Sequence, residues 1–234
     1  MKLIKPSFEI WDQQEGLEGV YKQIERAGRV CYKSEDKITE TSAKEFVERM
    51  IKSGHGAMLE HGNVYLYYKG AYDNNPLIEY FDNKYSKAIS IGRGSYSDIY
   101  VSTNYRVIIE NNWLDDIQYL CEPTEYHKKR ITVKFICDRG VSHEFVRHRV
   151  FSFAQESTRY CNYSKDKFGN EITFIHPCWI EDNQDTYDRW CFYESLSKAE
   201  EVYFRLLKHG WTPQQARAVL PNALKTELVM TGLS

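Results

Sequence analysis

Two kinds of hydrophobic periodicity alternate along this chain, and they constrain its fold more than any other feature of the sequence. Apolar residues recur at helical spacing over residues 17–30 and again after Ser42. Residues 64–68 and 131–137 instead follow the two-residue period of half-buried strands. Because helices and strands succeed one another with no internal repeat, the sequence predicts a mixed α+β fold.

Capping residues indicate where two of these helices begin. Ser42 and Glu45 form a capping-box pattern, and Gly54 is placed to end that helix. Late in the chain, Thr212 followed by Pro213 predicts an N-cap with proline at the first helical position.

A long amphipathic helix is predicted before that point. Its apolar positions include Trp190 and Tyr203, which we expect in the core, and Gly210 follows as a stop. A shorter helix is predicted from Val141 to Arg149, directly after the second strand.

A polar region rich in tyrosine and asparagine, at about residues 70–130, separates the two predicted strands. We predict that it is an insertion in a single domain of residues 1–234, and that it contains a strand from Tyr100 to Ile109. Its segment Ile91 to Ser95 lacks the third glycine of GxGxxG and the GK[ST] ending of a P-loop. A turn is therefore favoured there over a phosphate loop.

Composition excludes several classes of protein. The chain has 31 Lys and Arg against 33 Asp and Glu, so it is not a generally basic nucleic-acid coat, and any positive site must be local. No window approaches the roughly 20 apolar residues of a membrane helix, and the N-terminal residues lack a signal-peptide pattern. Six cysteines without a CxxC pair predict reduced thiols and no thiolate zinc site. We expect a cytoplasmic protein with no membrane or nucleic-acid partner.

The densest group of chemically functional residues lies in mid-chain, at Arg147-His148-Arg149 and the polar residues that follow up to Tyr160. Guanidinium groups hold phosphate through paired hydrogen bonds and keep their charge at neutral pH. Ser and Gln side chains interleave with them, and few carboxylates are nearby in sequence. The segment therefore predicts an anion-binding site, and the alternative is a solvated face with surface ion pairs.

This segment also carries a family resemblance. Residues 147–160, RHRVFSFAQESTRY, match the RHR-x7-S signature of the flavin-dependent thymidylate synthases, the ThyX family. Three weaker matches accompany it. His55 to His61 is similar to the family's HG-hydroxyl-xxEH segment, and residues 216–221 are similar to its AR-x-x-LP segment. Residues 28–31 also resemble a family segment.

The resemblance implies a fold, a reaction and an assembly. The fold would be ThyX-like α+β, a mixed or antiparallel sheet with flanking helices, in a homotetramer with its sites at subunit interfaces. The reaction would be reductive methylation of dUMP to dTMP, with FAD as cofactor, NADPH as reductant and methylenetetrahydrofolate as methylene donor. A flavin supplies the hydride, so the protein must mainly position its ligands.

The resemblance also implies residue roles. The residues expected to contact FAD are Cys31, His55, Ala57, Arg147, His148, Arg149 and Gln155. The residues expected to bind dUMP are Glu144, Arg147, Gln155, Glu156, Ser157, Thr158, Arg159 and Arg217. Of these, Ser157 and Arg159 are the candidate catalytic residues. No base is identifiable beside Ser157, so we assign it to substrate positioning.

Other interpretations of the same residues are open or disfavoured. His55, Glu60 and His61 lack the spacing of a metal-binding helix, so no metal site is predicted. Cys161 is expected to be a packed, inert thiol. The family continues with a segment that bears an asparagine and an arginine, and we expect that segment to be missing after Ser234. The alternative function is a catalytically silent module that binds nucleotide or RNA phosphates.

Overall fold

In the described residues of this computed structural model, the strands form three sheets, and helices pack around them. The structure describes residues 1–71, 75–93, 96–165, 169–180 and 186–233. The strands are β1 (Lys2–Ile4), β2 (Ser7–Trp11), β3 (Asn63–Ala71), β4 (Lys87–Arg93), β5 (Tyr96–Asn104), β6 (Arg130–Asp138), β7 (Ser152–Gln155), β8 (Thr173–Ile175) and β9 (Lys225–Leu233). The α-helices are α1 (Gly16–Tyr32), α2 (Ser42–Lys52), α3 (Gly56–Leu59), α4 (Tyr105–Glu110), α5 (Arg139–Phe145), α6 (Tyr187–Lys208) and α7 (Pro213–Ala216).

The central sheet has the strand order β2-β6-β9-β7, and every neighbouring pair in it is antiparallel. A second antiparallel sheet has the order β3-β5-β4, and β1 pairs with β8 in parallel. The protein is therefore α+β with a mixed, mainly antiparallel set of sheets and flanking helices, as predicted.

Helix α1 packs against one face of the central sheet because its apolar stripe faces that sheet. Ala27 and Val30 of the helix are buried against Trp11, Ala154 and Val229 of three strands. The helix ends at Lys33, which has a left-handed backbone with φ 48°, and the Lys33 N–H bonds the carbonyls of the last turn.

Region 70–130 contributes to the main hydrophobic core. Leu77, Tyr80, Ile99 and Val101 are buried together with residues of α1 and α2. That the region is an insertion stays a prediction.

The predicted strand from Tyr100 to Ile109 was wrong in its second half. Strand β5 ends at Asn104, whose side-chain oxygen accepts a hydrogen bond from the backbone N–H of Val107. This N-cap begins helix α4, so Tyr105 to Ile109 is helical.

Three further predictions need correction. The N-cap of α2 is Thr41 rather than Ser42, because the Ser42 hydroxyl donates instead to Oε2 of Glu25. Trp190 is 55% exposed and stacks on Tyr187, whereas Tyr203 is fully buried as expected. Helix α5 spans only Arg139 to Phe145, so the predicted helix to Arg149 ends early.

The segment from Ile91 to Ser95 is not a turn in its first part. Ile91 to Arg93 is the end of β4, and Gly94 and Ser95 lie outside the described residues. The N-cap at Thr212 with proline at the start of the helix is confirmed. The structure adds a capping box there, since the side chains of Thr212 and Gln215 each bond the other residue's backbone.

One face of the central sheet is largely uncovered by the described residues. Phe8 and Ile10 of β2 are 69% and 60% exposed, and they lie opposite Phe135 and Val133 of β6. Cross-strand partners share a face, so these side chains form one apolar surface. Helix α5 covers part of it, through the stacking of Phe145 on Phe135.

In the part of the chain that the structure describes, no helix is both long and apolar enough for a membrane crossing. The same residues contain no cluster of three or more His, Cys, Asp or Glu side chains suited to a metal ion.

Candidate functional site

The segment of residues 147–160 is brought against each of the other three motif segments. Strand β7 supplies its middle part and occupies the edge of the central sheet beside β9. The loop that follows β7 passes the C-terminal end of α1. The four motifs are distant in sequence, so this meeting depends on the whole fold.

Three hydrogen bonds make these contacts. Oγ of Ser152 donates to Oε2 of Glu60, in the segment 55–61, at 2.6 Å. The backbone N–H of Ser157 donates to the carbonyl of Cys31 at 3.0 Å. A guanidinium NH group of Arg217 donates to Oγ1 of Thr158 at 2.7 Å. The residues singled out from the sequence therefore form one neighbourhood around β7 and its following loop.

The hydroxyl of Ser157 has a local partner rather than a base. Its Oγ accepts a hydrogen bond from the backbone N–H of Arg159 at 3.3 Å. This turn geometry is typical of a serine that orders its own loop.

The thiols near this loop are not activated. Burial raises the pKa of Cys31 to about 11, and Cys161 is completely buried, as expected for a packed thiol.

Gln155 and Glu156 are each held by side chains from other parts of the fold. The side-chain amide of Gln155 donates to the hydroxyls of Ser142, at 2.7 Å, and Thr226, at 3.3 Å. Glu156 is buried, and its Oε2 accepts from Nζ of Lys225 at 2.9 Å. These bonds fix both side chains before any ligand arrives.

Lys225 belongs to an ionic group that the sequence reasoning missed. Its centre is Glu227, whose carboxylate lies 2.7 Å from Nζ of Lys33, 2.6 Å from Nζ of Lys134 and 2.5 Å from Nζ of Lys225. The lysines hold the pKa of Glu227 well below its usual range, although burial alone would raise it. We call Lys33, Glu35, Lys134, Glu156, Lys225 and Glu227 the Glu227 cluster. No signal in the sequence could pair Lys33 with a residue 194 positions later.

Arg147, His148 and Arg149 are exposed and follow α5. Arg147 lies 3.5 Å from the carboxylate of Glu144, and both side chains are about three-quarters exposed. Arg149 lines a cavity of about 430 Å³ together with Glu60 and Ser152. Segments 147–160 and 55–61 therefore meet at the wall of this cavity.

The two histidines of segment 55–61 occupy different environments. His55 is exposed at the start of α3, where Ala57 is also exposed. His61 is fully buried, and its Nδ1 lies 2.8 Å from Oγ1 of Thr231. Burial lowers the pKa of His61 to about 3, and the nearby charge of Arg130 lowers it further. His61 is thus a neutral structural side chain.

Arg159 and Arg217 differ in exposure and in their contacts. Arg159 is exposed, and its guanidinium lies 5.6 Å from the centre of the Tyr160 ring. Arg217 is half-buried against Thr158.

Curated relatives share sequence with most or part of this chain. It is 27% identical over 95% of its length to the flavin-dependent thymidylate synthase of Corynebacterium aurimucosum, and the match covers 66% of that relative. It is 32% identical to the enzyme of the same name from Pyrococcus abyssi and 35% identical to that from Thermococcus onnurineus, in each case over 41% of this chain and 37% of the relative. The chain thus spans between about a third and two-thirds of the length of these relatives.

A solved structure is also similar to the chain. The UMP/dUMP methylase PolB from Streptomyces cacaoi, bound with 5-Br dUMP, is 17% identical with a TM-score of 0.39, and the match covers all of this chain and 75% of that one. The family model described as thymidylate synthase complementing protein matches residues 77–232, about two-thirds of the sequence. The chain belongs to the thymidylate synthase complementing protein family.

Proposed function

We propose that this protein is a flavin-dependent thymidylate synthase, a methyltransferase that converts dUMP to dTMP in one catalytic domain of residues 1–234. The observation that carries the proposal is the contact of segment 147–160 with all three other motif segments, through Ser152, Ser157 and Thr158. Relatives in the family bear this function in their names.

The loop after β7 is the proposed dUMP site. Arg159 and Arg217 would hold the phosphate, because guanidinium groups bind it through paired, charge-assisted hydrogen bonds. Arg217 is already oriented toward the loop by Thr158. The nucleotide would be lined by Gln155, Glu156, Ser157 and Thr158. Glu144 would lie near its uracil base, and Arg147 would also contact the nucleotide.

Within this site the polar side chains act by position. Lys225 keeps Glu156 fixed, and Ser142 fixes the Gln155 amide, so little ordering is needed when the nucleotide binds. Ser157 orders the loop through the Arg159 N–H and would position substrate rather than attack it.

The residues around Arg149 fit a flavin dinucleotide. FAD combines an anionic pyrophosphate with flat apolar rings, and Arg149 shares its cavity with the apolar side chains of Val150, Phe151 and Leu233. We infer that FAD is held by Cys31, His55, Ala57, Arg147, His148, Arg149 and Gln155. When bound, the flavin would supply the hydride that the protein itself cannot.

The co-substrates and compartment follow the same proposal. Membership of the family supports NADPH as reductant and methylenetetrahydrofolate as methylene donor. All six cysteines are free thiols, which fits the reducing cytoplasm.

A homotetramer with its sites at subunit interfaces is the proposed assembly. The exposed apolar face of the central sheet supports it, since Phe8 and Ile10 would be buried by a second subunit. Size-exclusion chromatography with light scattering should give the tetramer mass, and Phe8→Lys should yield smaller species. A monomer at micromolar concentration would contradict the proposed assembly.

The function is tested by incubating the purified chain with FAD, NADPH, methylenetetrahydrofolate and dUMP. We expect flavin absorbance in the retained protein, release of the C5 hydrogen of dUMP, and dTMP. Retention of dUMP alone, with neither flavin binding nor turnover, would favour the silent nucleotide-binding module. Binding that depends on RNA length and falls steeply with salt would point to the RNA alternative.

A further inference from the structure

The cavity beside Arg149 is lined by an unusual number of basic side chains. They come from four different parts of the fold, and we call them and the space they surround the basic cavity. Its basic residues are Lys84, Lys87, Arg106, Arg130 and Arg149. Only two carboxylates, those of Glu60 and Glu110, share this lining. The cavity wall thus carries an excess of three positive charges.

Both carboxylates are engaged by the same guanidinium. An NH group of Arg106 donates to Oε1 of Glu60 at 2.6 Å, and its Nε donates to Oε1 of Glu110 at 2.7 Å. Within the described ranges, no carboxylate lies within 4 Å of the charged groups of the other four basic residues. The positive charge of the cavity therefore resides on Lys84, Lys87, Arg130 and Arg149.

Arg130 makes the strongest case for an anionic ligand. Its side chain is half-buried, its Nε donates to Oδ1 of Asn63 at 2.9 Å, and an NH group donates to the backbone carbonyl of Glu60 at 3.1 Å. Both acceptors are neutral. Burial lowers the pKa of Arg130 because it removes hydration from the cation, and the charge of Glu60 opposes this only in part. A bound anion would add negative charge that Glu60, which is paired with Arg106, does not supply in full.

Apolar side chains supply much of the remaining lining, beside the polar side chains of Asn104 and Ser152; they are Val107, Val150, Phe151 and Leu233. The cavity volume of about 430 Å³ exceeds that of an inorganic anion. The fitting ligand therefore combines a multiply charged anion with a larger apolar portion.

We propose that the basic cavity binds the pyrophosphate group of a dinucleotide, and that Lys84, Lys87 and Arg130 complete the site to which Arg149 belongs. This inference rests on the proposed function for its two ligand sources, FAD and NADPH, which share that group. It also gives the 70–130 region a role, because that region contributes both lysines to the cavity.

The experiment compares the wild-type protein with the double variant Lys84→Gln/Lys87→Gln. Both lysines are exposed, so the variant should fold. Calorimetric titrations use inorganic pyrophosphate, FAD, NADPH and dUMP. We expect pyrophosphate and one dinucleotide to bind about tenfold more weakly to the variant, as the loss of two charge-assisted contacts implies. The dUMP affinity should not change.

The matched control is Lys44→Gln/Lys69→Gln, which removes two exposed lysines away from the cavity. Weaker binding of FAD alone identifies the flavin as the occupant. Weaker binding of NADPH alone supports a pyrophosphate site but contradicts the placement of FAD in this cavity. Equal affinities of wild type and variant for pyrophosphate and both dinucleotides would overturn it. A wild-type protein that binds pyrophosphate through these lysines but makes no dTMP would contradict the proposed function and leave this site standing.

Discussion

The Glu227 cluster and the basic cavity are both rich in lysine or arginine, but only one of them is electrically balanced. In the cluster, Lys33, Lys134 and Lys225 all contact Glu227. Glu35 and Glu156 bring the carboxylates to three, equal to the number of lysines. In the cavity, five basic side chains face two carboxylates.

This difference separates a structural role from a binding role. A balanced cluster needs no ligand, and here it holds the end of α1 and the loop after β7 to β9. An unbalanced cavity retains positive charge that attracts anions. Density of basic residues alone would not have distinguished the two.

Breaking the balance of the cluster should give the largest effect. In Glu227→Gln three lysines would face each other without their shared carboxylate, so we expect the free energy of unfolding to fall by about 3 kcal/mol. Urea denaturation at pH 7 measures it. The control is Glu201→Gln on α6, where the partners Lys198 and Arg205 are exposed and little or no loss is expected. Similar losses for both variants would refute the structural role of Glu227.

The pH dependence of unfolding tests the protonation of His61, which is buried near the cavity residue Arg130. His61 is buried near Arg130, and its pKa is lowered from 6.5 to about 3, so the unfolded chain takes up a proton below pH 6.5 that the folded chain does not. Stability should therefore be complete above pH 6.5 and fall with decreasing pH, by about 1.4 kcal/mol per unit between pH 6 and 4 from this group.

The variant His61→Gln should lose that part of the slope. His209→Gln, at the exposed end of α6, is the control and should keep it. An identical dependence of unfolding on pH in wild type and His61→Gln would show that His61 is not the responsible group.

Ser157 lies outside both charged regions and gives the smallest expected change in stability. Ser157→Ala removes one acceptor in a half-exposed loop, so unfolding should change by less than about 1 kcal/mol. The KM for dUMP should rise severalfold, with flavin content unchanged. Complete loss of turnover with normal dUMP binding would instead indicate a direct chemical role.

Sequence patterns predicted the elements whose residues are positioned by local periodicity. Helices α1 and α6 each bury residues of their apolar stripe, and Thr212 caps α7 through atoms three residues away. Strand β6 forms where the two-residue alternation predicts it, although Ile131 on its apolar face is exposed. The error at Tyr105 arose because an N-cap at Asn104 converts an apolar run from strand to helix. Trp190 was misplaced because helical spacing does not show which turn of α6 leaves the core.

Sequence patterns likewise predicted some residues of the candidate site and missed others. Motif matching found Ser157, Thr158 and Arg217, and the structure brings them together. Motif matching could not find Arg130 or Lys225. Arg130 bonds Asn63, 67 residues earlier, and Lys225 bonds Glu156, 69 residues earlier. Long-range electrostatic partners leave no local pattern in a sequence.

We propose that Arg149 and its cavity hold a flavin while the loop after β7 holds the nucleotide. The decisive measurement is a titration of FAD into wild type and Arg149→Ala, followed by flavin absorbance. We expect wild type to bind FAD and the variant to bind it about tenfold or more weakly, with dUMP affinity unchanged. Equal flavin content in the two proteins would show that Arg149 does not hold the flavin.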